Sequence, residues 1–257
     1  MRPAARLLPA GVVLVTAAAG MLGLHPSAPA LAAAPVVTQG RQVYEVRCQS
    51  CHLATGLGQP DKGIPSLHGV GAAAVDFYIT TGRMPEANYS RQAPRRPVTV
   101  NPADKEALIA FITSTWPGGP AIPPILAGAN LVNGGDLFRT NCAACHGAVG
   151  AGAALAHGAY APSLHKATPL QVAEAIRVGP ANMPVFDERT LSPAQLSDVT
   201  AYVEYLHHPD DRGGAGLGWV GPAAEGFVGL LVGLAGVVGI AGWVGHRTDD
   251  EPVERHG

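Results

Sequence analysis

Cys48-Gln49-Ser50-Cys51-His52 recurs later in the chain as Cys142-Ala143-Ala144-Cys145-His146. This pattern, C-x-x-C-H, limits what the chain can fold into more than any other feature, because it is the attachment signal for a c-type haem. Two thiols three residues apart can bond to the two vinyl groups along one edge of a porphyrin. The histidine that follows is then held beneath the ring, where its imidazole can ligate the iron. A bare C-x-x-C could instead be half of a zinc site or a redox dithiol, and the two pairs together could give one zinc ion four thiolates. The adjacent histidine in both copies, outside any short zinc-ribbon context, favours two haem c groups, covalently attached. The chain has 4 cysteines, so two haems use all of them and leave none for a disulfide.

A chain built around such apolar discs needs less side-chain core of its own. Aromatic residues make up only 5% here, against 33 glycines and 23 prolines, which implies short helices and long irregular connections. The haem-free chain is therefore expected to fold poorly. The 257 residues suit one or two domains. Lys and Arg (17) nearly balance Asp and Glu (19), so there is no charge signal for nucleic acid binding.

Arg2 and Arg6 precede an uncharged run from Leu7 to Leu24, followed by Ala28-Pro29-Ala30 and Ala32-Ala33-Ala34. A basic start, an apolar run and a small-residue zone read as a secretory signal segment over 1–34, removed by cleavage. An uncleaved anchor is the alternative. Against it, the run falls short of the ~20 residues of a spanning helix, and Pro9 interrupts it. No cysteine precedes Cys48, which excludes lipoprotein processing. Export agrees with haem attachment, which takes place outside the cytoplasmic membrane.

The remaining chain repeats itself. Gly40 and Gly134 each lie eight residues before their first motif cysteine, and Tyr44 and Phe138 lie four before it. On a helix that aromatic sits one turn behind the attachment site. Glycine-rich loops follow each motif, then Pro65-Ser66-Leu67-His68 and Pro162-Ser163-Leu164-His165, then Gly82-Arg83-Met84-Pro85 and Gly179-Pro180-Ala181-Asn182-Met183-Pro184. Apolar periodicity predicts a closing helix for each copy, over about Pro102–Thr115 and Pro193–His207. The uncharged, Pro/Gly-rich stretch 117–130 between the copies reads as a linker.

Each iron has a second axial position. Outside the signal segment the only methionines are Met84 and Met183, one per copy, each followed by a proline that keeps it off a helix. A thioether is a soft donor that favours ferrous iron. A buried methionine can also be mere core filling. His68 and His165, at matching positions, are the rival ligands and would make bis-histidine irons. Arg91, Arg95 and Arg96 either meet haem propionates or an acidic partner, or form a solvated loop.

Gly226 to Gly245 is free of charge and long enough to span a bilayer. Trp219 and Trp243 fall near its ends, and Arg247 follows it, in agreement with a cytoplasmic tail. Seven glycines, Gly229-x-x-x-Gly233 among them, suggest packing against neighbouring helices, with high genomic glycine content as the alternative.

The order helix, CxxCH, loop, Pro-x-Leu, helix, Met-Pro, helix resembles the class I cytochrome c fold, here twice. That resemblance implies crossed first and last helices with the aromatic packed at the crossing. It also implies that the carbonyls of Pro65 and Pro162 accept from the iron-ligating imidazoles of His52 and His146. From about Gly40 to Arg247 the chain resembles, more specifically, the di-haem cytochrome c subunits of actinobacterial menaquinol:cytochrome c reductases (cytochrome bc complexes). The matching stretches are Gly69-Val70-Gly71, Thr81 to Pro85, Gln92-Ala93-Pro94-Arg95, Gly134 to Arg139, and Gly221 to Gly226.

The resemblance implies a mostly α protein: two tandem class I cytochrome c domains plus one C-terminal transmembrane helix. The expected divisions are cytochrome c domains over 36–116 and 131–210, a hinge over 211–222, the transmembrane helix over 223–245 and a cytoplasmic tail over 246–257. The haem domains are expected on the extracytoplasmic face of the cell membrane. Cys48, Cys51, His52 and Met84 would serve the first haem, and Cys142, Cys145, His146 and Met183 the second. Partners would be a cytochrome b subunit, the Rieske iron–sulfur subunit as electron donor, and a cytochrome oxidase in a supercomplex as acceptor. No independent catalytic site is expected. A free-standing membrane-anchored carrier and a di-haem peroxidase are the alternatives.

Overall fold

Three helices begin where a capping side chain meets a proline. Asn101, Thr168 and Ser192 each accept a hydrogen bond from a first-turn N–H, and Pro102, Pro169 and Pro193 follow them at the first helical position. Thr168 with Gln171 and Ser192 with Gln195 close full capping boxes. The computed structural model describes residues 28–210 and 222–249, with side chains over 35–210 and 226–246.

The first domain comprises α1 (Ala28–Arg47), α2 (Gln49–His52), α3 (Gly71–Thr80) and α4 (Pro102–Thr115). The second repeats it as α5 (Leu131–Asn141), α6 (Ala143–His146), α7 (Pro169–Val178) and α8 (Pro193–His207). Helix α1 crosses α4, and α5 crosses α8. Glycines make both crossings close. A Cβ on Gly40 would lie 1.9 Å from the Ala107 carbonyl oxygen, and one on Gly134 would lie 2.1 Å from that of Asp198. One turn on, buried Tyr44 packs against Phe111 and Trp116, each at 5.4 Å between ring centroids, and buried Phe138 packs against Tyr202 at 5.5 Å. Each domain has its own apolar core around these rings, completed in the first by Leu108 and Ile112 and in the second by Leu196, Val199 and Val203.

The two closing helices run over the residues that periodicity predicts. The second domain adds a short hairpin that the sequence did not announce, β1 (Ala153–Ala154) paired antiparallel with β2 (Tyr160–Ala161). Helix α1 starts at Ala28, so the small-residue zone at 28–34 is helical. Residues 1–27, the rest of the expected signal segment, lie outside the described residues, as do residues 211–221 of the expected hinge over 211–222; Pro222 opens the last helix. The stretch 117–130 lacks regular structure but is tied to both domains. The Ala73 N–H donates to the Pro120 carbonyl, the Leu126 N–H to Ser197 Oγ, and the Asn130 N–H to Asp198 Oδ1.

The domains meet where α3 packs against α7. The loop after Met84 crosses this seam. Arg95 donates to the Gln171 side chain at 2.6 Å, and Gln92 brackets the backbone of Tyr160, donating to its carbonyl and accepting from its N–H. Gln171 in turn donates to the Thr80 carbonyl.

Helix α9 (Pro222–Asp249) contains one candidate membrane span, Gly226–His246, with mean hydropathy 2.2 and none of it buried against the described residues. It reaches beyond the expected end at 245, so the first residues of the expected tail are helical.

Candidate functional site

Each motif is built as a turn that continues the preceding helix. The Cys48 N–H donates to the Tyr44 carbonyl and the His52 N–H to that of Cys48; Cys142 and His146 repeat this with Phe138 and Cys142. The two cysteines of each pair therefore lie on successive corners of one short turn, with the histidine at its end.

The loop beyond the motif returns to fix that histidine. The Gly58 N–H donates to the His52 carbonyl, and Leu67 to that of Gly56; Gly152 and Leu164 do the same with His146 and Gly150. Gly58 and Gly152 have φ of +70° and +85°. A Cβ there would lie 2.3 Å from the Pro65 carbonyl oxygen and 2.4 Å from that of Ala161, so only glycine lets the loop approach the proline segment. The prolines are thereby brought to the imidazoles: His52 Nδ1 lies 3.1 Å from the Pro65 oxygen, and His146 Nδ1 lies 3.0 Å from that of Pro162. A carbonyl can only accept, so Nδ1 carries the proton and Nε2 keeps its lone pair for a metal.

Burial lowers the pKa of both imidazoles, opposed by these bonds to the proline carbonyls, and keeps them neutral. Burial also pushes the Cys48 and Cys142 thiols up to about 11.

Both sites open into one cavity of about 1510 Å³. It is larger than the roughly 300–1,000 Å³ of a single small-molecule site. All four cysteines, both histidines and both methionines line it, as do Pro65 and Pro162. Met84 and Met183 are half-buried; each packs against the core of its own domain and borders the cavity.

His68 and His165 play a different part. Their Nε2 atoms lie 2.8 Å and 2.7 Å from the carbonyl oxygens of Thr55 and Val149. His68 also stacks on Trp116. Both rings pin the loop after the motif, and neither borders the cavity.

The basic run divides. All three arginines border the cavity; Arg95 also bonds across the seam, Arg96 pairs with Glu86 at 3.3 Å, and Arg91 is exposed. The cation that sequence reasoning overlooked is Arg83. It borders the cavity over the Phe77 ring, and its Nη1 is buried with no hydrogen-bond partner. A buried guanidinium donor left open beside a large apolar cavity suits a group that is mostly apolar and carries carboxylates, and haem, with its two propionates, is such a group. The only sequence hint was its place in Gly82-Arg83-Met84-Pro85.

Two helical domains, each with a thiol pair, a carbonyl-oriented histidine and a methionine around one cavity, define a tandem c-type cytochrome. A family model described as cytochrome c oxidase, cbb3-type, subunit III matches residues 35–112 and 129–203, one stretch in each domain. The cytochrome bc1 complex cytochrome c subunit of Mycobacterium tuberculosis (strain ATCC 25618 / H37Rv) is 39% identical over 260 residues, which cover 95% of this chain and 92% of that one. The protein of the same name from Mycobacterium leprae (strain TN) is 38% identical, with 92% and 86% covered. That of Corynebacterium diphtheriae is 37% identical, with 83% and 82% covered. The chain belongs to the family of cytochrome bc1 complex cytochrome c subunits. It is an electron-transfer protein with haem c domains and a membrane helix.

Proposed function

We propose that this chain is the electron-relay subunit of a menaquinol:cytochrome c reductase. It takes single electrons from the Rieske iron–sulfur subunit and passes them to a terminal cytochrome oxidase in the same supercomplex, anchored beside a cytochrome b subunit. Haem c, when attached, supplies an iron that changes by one electron and makes no bond to a substrate. Cys48 and Cys51 hold the first haem and Cys142 and Cys145 the second. His52 with Met84, and His146 with Met183, would ligate the two irons, and Pro65 and Pro162 would orient the imidazoles. Arg83 offers its open N–H to a propionate. The haem domains lie on the extracytoplasmic face, the 1–34 segment is removed on export, and the tail after α9 is cytoplasmic.

The observation that supports this reading is the duplicated constellation facing a single cavity, the arrangement that two electron sites on one tether would need. The two Met-Pro elements, each with its methionine at the cavity, argue against a peroxidase, which needs an iron with a free or displaceable site. Purification from membranes in mild detergent tests the proposal. The expected result is two covalent haems per chain, with cytochrome b and the Rieske protein recovered in the same particle. A chain recovered alone with both haems would be a free-standing carrier, and peroxide turnover by the isolated chain would make it a peroxidase; either result overturns the assignment.

A further inference from the structure

Gln92-Ala93-Pro94-Arg95 lies at the far end of the loop that begins at Met84. The two ends of that loop are pinned together. The Arg96 N–H donates to the Thr81 carbonyl at 3.3 Å, and a Cβ on Gly82 would lie 2.0 Å from the Arg96 carbonyl oxygen. Glu86 braces the loop from within, accepting from Ser90 at 3.0 Å and from Arg96 at 3.3 Å. Gln92 and Arg95 are thereby fixed to the first domain at the end of α3.

Both of them hold the second domain. Arg95 donates to Gln171 Oε1 at 2.6 Å. Gln171, 7% exposed, lies in the first turn of α7, where the same oxygen also accepts the Thr168 N–H at 3.3 Å. Its Nε2 donates to the Thr80 carbonyl at 3.2 Å. Thr80 ends α3, and a helix leaves its last carbonyls without partners of their own. One buried amide thus joins the last turn of a first-domain helix to the first turn of a second-domain helix. Gln92 takes both backbone groups of Tyr160, two residues before Pro162, whose carbonyl lies against the His146 ring.

We propose that Gln92, Arg95 and Gln171 form a clasp that holds the two domains, and with them the two haems, in one mutual orientation. They are positioning residues that act through the domain frame. Gln171 joins α3 to α7, and Gln92 joins the Met84 loop to the segment that orients His146. Domains within one chain move against each other unless something fixes them. The clasp does so here, and so sets the step between the two haems. The inference rests on the two-haem reading above.

Soret circular dichroism of the full-length holoprotein in detergent tests it. Two haems held close at a fixed angle give a bisignate band whose amplitude depends on their relative placement. Gln171→Leu keeps the side chain's bulk and the Arg95 charge but removes the bonds of the amide, and Gln92→Ala removes the bonds to Tyr160. The expected result is a smaller couplet in each variant and its loss in the double variant. The absorption spectrum, which reports each haem's own ligands, should stay unchanged. Thr168→Ala weakens the start of α7, because Thr168 Oγ1 accepts the Gln171 N–H, but leaves the clasp in place. Its couplet should match that of the unaltered protein. An unchanged couplet in the double variant, or an equal loss in Thr168→Ala, would overturn the proposal, as would unaltered protein that carries two haems without a couplet. Should Gln171→Leu fail to hold haem, Gln92→Ala, at a half-buried loop position, decides alone, and an unchanged couplet there overturns the proposal. The two-haem reading fails separately, if the pyridine haemochrome spectrum gives fewer than two haems per chain.

Discussion

Asp76 on α3 and Glu174 on α7 face each other in the seam between the domains, 1% and 0% exposed. Lys105 on α4 forms an ion pair with Asp76. Both carboxyl oxygens of Glu174 are buried without a well-formed hydrogen bond. Burial, and after it the neighbouring Asp76, push Glu174 up to about 9, with Lys105 pulling the other way. Glu174 is therefore neutral at neutral pH, which spares the seam a second buried negative charge.

This sets a pH dependence. When the chain is unfolded, Glu174 titrates at its ordinary value of 4.5; when folded, at about 9. Below the lower value both states hold the proton, and the contribution to stability is complete. Between the two values the unfolded chain has released a proton that the folded chain keeps, so stability falls as pH rises. Glu174→Gln stays neutral throughout. The holoprotein should lose thermal stability from about pH 5 to about pH 9 more steeply than the Glu174→Gln variant. Melting curves across that range check this, and parallel curves would remove Glu174 as the cause.

The helix crossings depend on the absence of a side chain. Gly40→Ala would place a methyl group 1.9 Å from the Ala107 carbonyl oxygen, with backbone on both sides and little room to yield. Overpacking of this kind costs about 1–3 kcal/mol, and Gly134→Ala should cost a similar amount. Each variant should lower the melting temperature while leaving both attachment motifs loaded with haem.

Arg83 carries an unpaired donor and a positive charge into the cavity. A nearby cation favours the electron-rich state of an iron site, so Arg83→Gln should lower at least one midpoint potential. Arg41→Gln, at an exposed position outside the cavity, should leave both potentials unchanged. Equilibrium redox titration of the two variants distinguishes them.

A cavity of about 1510 Å³ cannot stay open between thin cores. Replacing Cys48, Cys51, Cys142 and Cys145 with alanine should abolish cooperative unfolding, as followed by circular dichroism. A sharp transition in that variant would show that the protein frame stands without its prosthetic groups.

What could be read in advance was local or repeated. Apolar periodicity marks the closing helices over Pro102–Thr115 and Pro193–His207, and the spacing from Gly40 and Gly134 to their cysteines exposes the duplication. His68 and His165 show the limit: matching positions after Pro-Ser-Leu make them look like ligands, and only the structure shows that their Nε2 atoms are taken by backbone carbonyls. Contacts across the seam were out of reach. Gln92 with Tyr160 and Arg95 with Gln171 join residues far apart in sequence, and no periodicity encodes such pairs. Strands of two residues, as in β1 and β2, are too short for alternation to register.

The central claim is that two c-type haems are fixed to one polypeptide. Denaturing the purified chain, extracting it with acidic acetone and measuring haem by the pyridine haemochrome spectrum against protein mass tests this directly. The account predicts two haems per chain, both retained on the polypeptide. Pigment released into the acetone, or fewer than two haems per chain, would contradict it.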